Sequence, residues 1–138
     1  MKRILLTLVA AVLALGASAG RAQAQDYVVV VNAANSVSSI SKADLAKAFM
    51  KKNPKLTPVD LAKNSPVRDA FSKAVHGRPA AAVVSYWQQQ LFGGTDVPPP
   101  EKGSDADVLA FVKSTPNGIG YVAAGTAVGA GLKTVTVE

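Results

Sequence analysis

In 138 residues the sequence has no cysteine, one histidine and one tryptophan. The missing cysteine excludes disulfides, thiol catalysis and cysteine-linked lipid anchors. His76 alone offers no cluster for a transition metal and no evident partner for a serine nucleophile. No pair of carboxylates and no glycine-rich phosphate cradle can be assembled either, so a non-enzymatic binding role without a cofactor is expected. Aromatic residues make up 6% of the chain, and its lysines and arginines are scattered without aromatics among them. The salt-dependent contacts that hold nucleic acid therefore have no basic patch to use.

A long apolar run is also missing. Ile4 to Leu15, interrupted only by Thr7, is about 12 residues, against roughly 20 for a membrane-spanning helix. With Lys2 and Arg3 before it and Ala22-Gln23-Ala24 after it, the run has the pattern of an export signal over residues 1–24. Ala17-Ser18-Ala19 is a second candidate cleavage site. A periplasmic or secreted protein, not embedded in a membrane, is expected, with residues 25–138 forming one domain. The formal charge of +6 falls to +3 once Lys2, Arg3 and Arg21 leave, which is too mild to imply a polyanionic partner.

Asp26 to Asn32 holds four consecutive valines, a pattern for a strand covered on both faces. Ser41-Lys42-Ala43-Asp44 is a capping-box variant opening a helix that should stop by Asn53-Pro54, with Leu45, Ala48 and Phe49 inward. Leu56 to Leu61 is a short strand candidate, followed by a helix from Ser65 to His76, ended by Gly77, with Val67, Ala70, Phe71, Ala74 and Val75 at helical spacing. His76 then lies at a helix C-terminus, where a partly positive imidazole suits the dipole. A third helix spans Ala80 to Phe92, with Val83, Val84, Trp87 and Leu91 as its core face and the Trp87 N–H satisfied locally. Thr95 to Gly103, with Pro98-Pro99-Pro100, reads as an extended surface loop. Ser104 caps a fourth helix, Asp105 to Ser114, and Gly118 to Val122 and Leu132 to Val137 close the fold as strands. The order β-α-β-α-α-α-β-β gives an α/β class, a mixed sheet flanked by helices.

The candidate ligand site is the start of the second helix. Ser65 at the N-cap, Pro66 at N1 and Arg68 nearby leave a short fan of free N–H groups around Asn64 and Val67, at the positive end of a helix dipole, beside one guanidinium. Asp60 adds a carboxylate that accepts a hydrogen bond only from a partly protonated oxyanion, or else is a solvated strand-end residue. Arg68 either grips an anion in bidentate fashion or stands on an exposed helix face beside Asp69. Ser38, Ser39 and Asn32, at the end of the first strand and in the loop after it, are further candidate donors. Tyr121 either leans into a cleft or packs in the core.

These pieces in this order resemble one lobe of the type 2 periplasmic substrate-binding fold, in its phosphate-binding branch. The resemblance rests on Val28 to Asn32, on Ser41 to Phe49, on Val67-Arg68-Asp69-Ala70-Phe71, and above all on Asn117-Gly118-Ile119-Gly120-Tyr121-Val122. It implies an ABC importer component, with phosphate or a similar oxyanion as ligand and transporter membrane subunits or another envelope protein as partners. Two departures stand out. Members have two lobes that close on ligand, whereas this chain has length for one. The family's phosphate loop reads Ser-Gly-Thr, and here Pro66 and Val67 follow Ser65, so one amide donor and one hydroxyl donor are missing. Two function classes are therefore open: a weak oxyanion-binding protein, and a non-enzymatic interaction module that keeps the fold without the ligand site.

Overall fold

Four consecutive valines place β1 (Tyr27–Asn32) at the centre of a five-stranded sheet. A computed structural model of the chain describes residues 26–138; the proposed export signal lies outside the described residues. Going outward, β1 is flanked on one side by β7 (Leu132–Val137) and β2 (Ser39–Ile40), and on the other by β6 (Gly118–Ala123) and β3 (Thr57–Pro58). Both neighbours of β1 run antiparallel to it, with Val29 opposite Tyr121 and Val135, while the two edge pairings are parallel. The sheet is thus mixed, as expected, and Val29, Val30 and Val31 are buried.

Helices cover both faces. Side chains alternate along β6, so Tyr121 meets Phe49 of α1 (Lys42–Phe49) and Phe71 of α2 (Pro66–His76), whereas Gly120 faces Val108 and Val112 of α4 (Asp105–Ser114). A β-carbon on Gly120 would sit 2.7 Å from Val108 Cγ1 and 2.9 Å from Val59 Cγ1, so the absence of a side chain there sets how closely α4 lies on the sheet. Ser41, Ser65 and Ser104 each cap their helix through the amide three residues on. The α2 helix ends at Gly77, whose φ of 66° is left-handed. Among the described residues no helix is long and apolar enough to cross a membrane.

The structure corrects four expectations. Leu56 to Leu61 is not one strand: β3 stays on β6, but the Asp60 amide donates to the Pro100 carbonyl, so Asp60–Leu61 leaves the main sheet as β4. Its partner is β5 (Glu101–Lys102), a strand inside the segment expected to be wholly loop. The inward stripe of α2 is Arg68, Phe71, Ser72 and Val75, the i, i+3, i+4, i+7 set, while Ala74 is exposed. The α3 helix (Ala80–Phe92) packs chiefly on α2, so Val83 and Trp87 are buried but Leu91 is half exposed, and the buried Trp87 Nε1 has no hydrogen-bond partner among the described residues. With no local side-chain cap, α3 takes the Asp69 carboxylate on its Ala80 amide at 3.0 Å.

Candidate functional site

The short β4–β5 pair sets Asp60 directly beside Glu101, and α2 starts five residues after Leu61. Arg68, one turn into α2 on its inward stripe, therefore reaches back between the two carboxylates. It is 3% exposed. Its Nη1 donates to the Leu61 carbonyl at 3.0 Å and to Glu101 Oε1 at 2.6 Å, and its Nη2 stands 3.8 Å from Asp60 Oδ2. Asp60, 6% exposed, accepts the Tyr121 hydroxyl on Oδ1 at 2.7 Å, and the Tyr121 oxygen in turn accepts the Leu61 amide at 3.3 Å.

Burial raises the Asp60 pKa, opposed by the Arg68 charge and the Tyr121 hydrogen bond. Burial likewise disfavours the Arg68 charge, but Asp60 and Glu101 outweigh it and hold the guanidinium charged, its pKa raised. Tyr121 is pushed up by burial and by Asp60, so its phenol stays a donor. The result is a buried cation between two carboxylates, one fixed from below by a tyrosine and the other reaching toward solvent. Such a set can hold a polar group that both accepts from a guanidinium and donates to a carboxylate.

At the helix start, most donors are already engaged. Ser65 Oγ accepts the Arg68 amide at 3.4 Å, the Ser65 carbonyl accepts the Asp69 amide at 3.2 Å, and Pro66 has no N–H. Among the described residues the Val67 amide is the one first-turn donor without a partner, next to exposed Asn64 in the turn before it. The anticipated fan is thus a single donor.

The remaining candidates lie elsewhere. Asn32 is buried and turned to the opposite layer: its Nδ2 donates to the Val112 and Lys113 carbonyls at 3.1 and 2.9 Å, closing the end of α4. Ser38 and Ser39 are exposed at the β2 edge of the sheet, while β4 follows the β3 edge at the other end. The structure thus brings Asp60 and Ser65 to Arg68, with Val67 its neighbour in α2, and leaves Asn64 exposed in the preceding turn and Ser38, Ser39 and Asn32 apart from them.

Of the cluster's members, Glu101 was not anticipated, and Tyr121, expected either to lean into a cleft or to pack in the core, packs in the core and turns its hydroxyl to the cluster. Tyr121 was open to discovery, since alternation along β6 puts it on the α2 face. Glu101 carried no signal, because its partner Arg68 is 33 residues away and β5 is two residues long. Nor is Arg68 on an exposed face beside Asp69. His76 is not partly positive: burial first, then Arg78 and Arg68, lower its pKa to about 4. An open depression along α4, lined by Lys102, Asp107, Ala110, Phe111 and Ser114, has one lysine against one aspartate and no convergent donors.

No protein-family model matches the sequence, and no curated protein matches it. Solved structures do. An ABC-type phosphate transport receptor from Vibrio cholerae is similar with a TM-score of 0.61 and 15% identity, over 81% of this chain and 46% of that one. A Clostridium perfringens protein crystallised with bound phosphate is similar with a TM-score of 0.62 and 18% identity, over 81% of this chain and 44% of that one. PstS from Borrelia burgdorferi is similar with a TM-score of 0.55 and 16% identity, over 82% and 47%. The chain spans less than half the length of each. Its mixed sheet with helices on both faces has the fold of a single lobe of these phosphate-transport binding proteins.

Proposed function

We propose that this protein is an exported solute-binding module whose ligand is phosphate or a similar oxyanion, bound weakly at the start of α2. The observation that carries the reading is the buried Arg68 guanidinium held 3.8 Å from the free oxygen of Asp60. A guanidinium beside a carboxylate suits an oxyanion that still bears a proton, since one oxygen accepts from Arg68 while a hydroxyl donates to Asp60. The dipole of α2, whose first turn carries the Val67 amide, adds positive potential at that end of the helix. The likeness of fold to phosphate-transport proteins supports the same ligand class, and makes membrane subunits of an ABC importer the natural partners. A single lobe leaves one side of the ligand in water, so binding should be weak.

Titration calorimetry of residues 25–138 with phosphate, sulfate and acetate at pH 7 tests this. Phosphate should give a saturable heat and sulfate, which carries no proton for Asp60, a much smaller one. No heat with phosphate, or equal affinity for sulfate, would overturn the assignment.

A second reading has its own support. Arg68 already has Glu101 and the Leu61 carbonyl as partners, and the helix start offers one amide, the pattern expected of a lobe retained for protein contacts without a ligand. Co-purification of a stable envelope partner in phosphate-free buffer, with no phosphate heat, would favour this adaptor role.

A further inference from the structure

We infer that Glu101 is a built-in stand-in for the anion: its carboxylate occupies the Arg68 guanidinium, and a ligand binds only by displacing it. This rests on the oxyanion site proposed above and concerns how that site is controlled. Two carboxylates flank Arg68, but they differ in how they are held. Asp60 is buried and accepts the Tyr121 hydroxyl, a bond it would lose on turning outward. The Glu101 side chain is 43% exposed and reaches Arg68 through one oxygen, at 2.6 Å, a charge-assisted contact of the kind a phosphate oxygen would make.

The strand that carries Glu101 is lightly fastened. β5 has two residues, follows Pro98-Pro99-Pro100, and is joined to β4 by the Asp60 amide on Pro100 and the Ala62 amide on Lys102. Rotation of this one partly exposed side chain releases a single Nη1 donor, the bond of Nη1 to the Leu61 carbonyl remaining, and breaks none of the hydrogen bonds that hold Asp60 and Tyr121. With both carboxylates on one guanidinium the cluster is net negative, which repels a further anion. When Glu101 swings out, its charge moves into water, and the guanidinium is left with an open donor. The apparent dissociation constant is then the intrinsic one divided by the fraction of molecules with Glu101 displaced. A guanidinium free about one-tenth of the time weakens binding about tenfold.

The test is phosphate calorimetry on the wild type, Glu101→Ala, Glu101→Gln and Asp96→Asn. Asp96 pairs with Lys51 away from the cluster, so its substitution removes the same charge without opening Arg68. Glu101→Ala should bind phosphate about tenfold tighter or more, Glu101→Gln should gain less because its amide oxygen still accepts from Arg68, and Asp96→Asn should match the wild type. Equal affinity in Glu101→Ala and wild type overturns the stand-in and leaves the oxyanion site standing. Equal gains in Glu101→Ala and Asp96→Asn also overturn it, by reducing the effect to net charge. Absence of heat in every variant overturns both the stand-in and the site. Glu101→Gln keeps shape and hydrogen bonding, so it remains informative if the alanine variant unfolds.

Discussion

Tyr121 lies flat against Phe71, ring centroids 3.9 Å apart and planes 5° from parallel, while its hydroxyl donates to Asp60 at 2.7 Å. One side chain thus belongs both to the aromatic core under α2 and to the polar cluster beside it. Tyr121→Phe keeps the stacked ring but removes a donor from Asp60 and leaves the buried Leu61 amide without its acceptor. A loss of about 1–3 kcal/mol is expected from two groups left unsatisfied. Urea unfolding at pH 7 measures it; a midpoint equal to wild type would mean that neither contact stabilises the fold.

Arg68 and Asp60 should behave as a coupled pair. Arg68→Met fills the same space with apolar atoms but leaves Asp60 buried without its cation, at an expected loss of about 3–5 kcal/mol. Arg68→Met combined with Asp60→Asn removes both charges and should be less destabilised than the sum of the two single variants. Thermal unfolding of the four proteins gives the coupling; strict additivity would show that the 3.8 Å separation carries no interaction.

The parts of this fold that were legible in the sequence are those specified by neighbours in the chain. Four valines, three serine caps and Gly77 each act within a few residues, and β1, the helix starts and the end of α2 follow from them. Arg68 was half legible. Its spacing to Phe71 and Val75 is that of an inward stripe, but its charge argued for water and the expected stripe ran through Val67 and Ala70 instead; the carboxylates that settle the matter sit on β4 and β5. Strands of two residues have no periodicity to read, so the departure of Asp60 from the main sheet and the role of Glu101 depend on a backbone bond to Pro100 that lies 40 residues on in sequence. The Gly118-Ile119-Gly120 segment was recognisable as a pattern, yet its physical reason, the close approach of α4, exists only in three dimensions.

Asn32 closes the end of α4 with two hydrogen bonds to carbonyls, and its own carbonyl-type oxygen accepts the Ala34 amide at 2.9 Å. Asn32→Ala should cost about 1–3 kcal/mol by leaving those buried groups unpaired. Asn32→Asp should cost at least as much, since a carboxylate would face two carbonyls at the negative end of a helix dipole. Denaturant midpoints of the two variants check the order; a milder Asp variant would show that the amide donors are not what matters.

His76 should make the protein acid-sensitive in a defined window. Its imidazole lies nearly perpendicular to the Phe71 ring, centroids 5.9 Å apart, with Arg78 and Arg68 as the charges near it, and its pKa drops from 6.5 to about 4. The unfolded chain therefore binds this proton more readily than the folded one. Stability from the neutral imidazole is fully present above pH 6.5 and is lost as the pH falls from there through about 4. The loss is on the order of 2–3 kcal/mol, kept at the lower side by partial exposure. Asp60 acts in the opposite direction, since its raised pKa favours the folded state at low pH, so the wild-type profile alone mixes the two. Comparing wild type with His76→Gln separates them: between pH 7 and pH 4.5 the urea midpoint should fall further in wild type than in the variant. Parallel profiles would mean that the folded protein accepts the His76 proton as easily as the unfolded chain does.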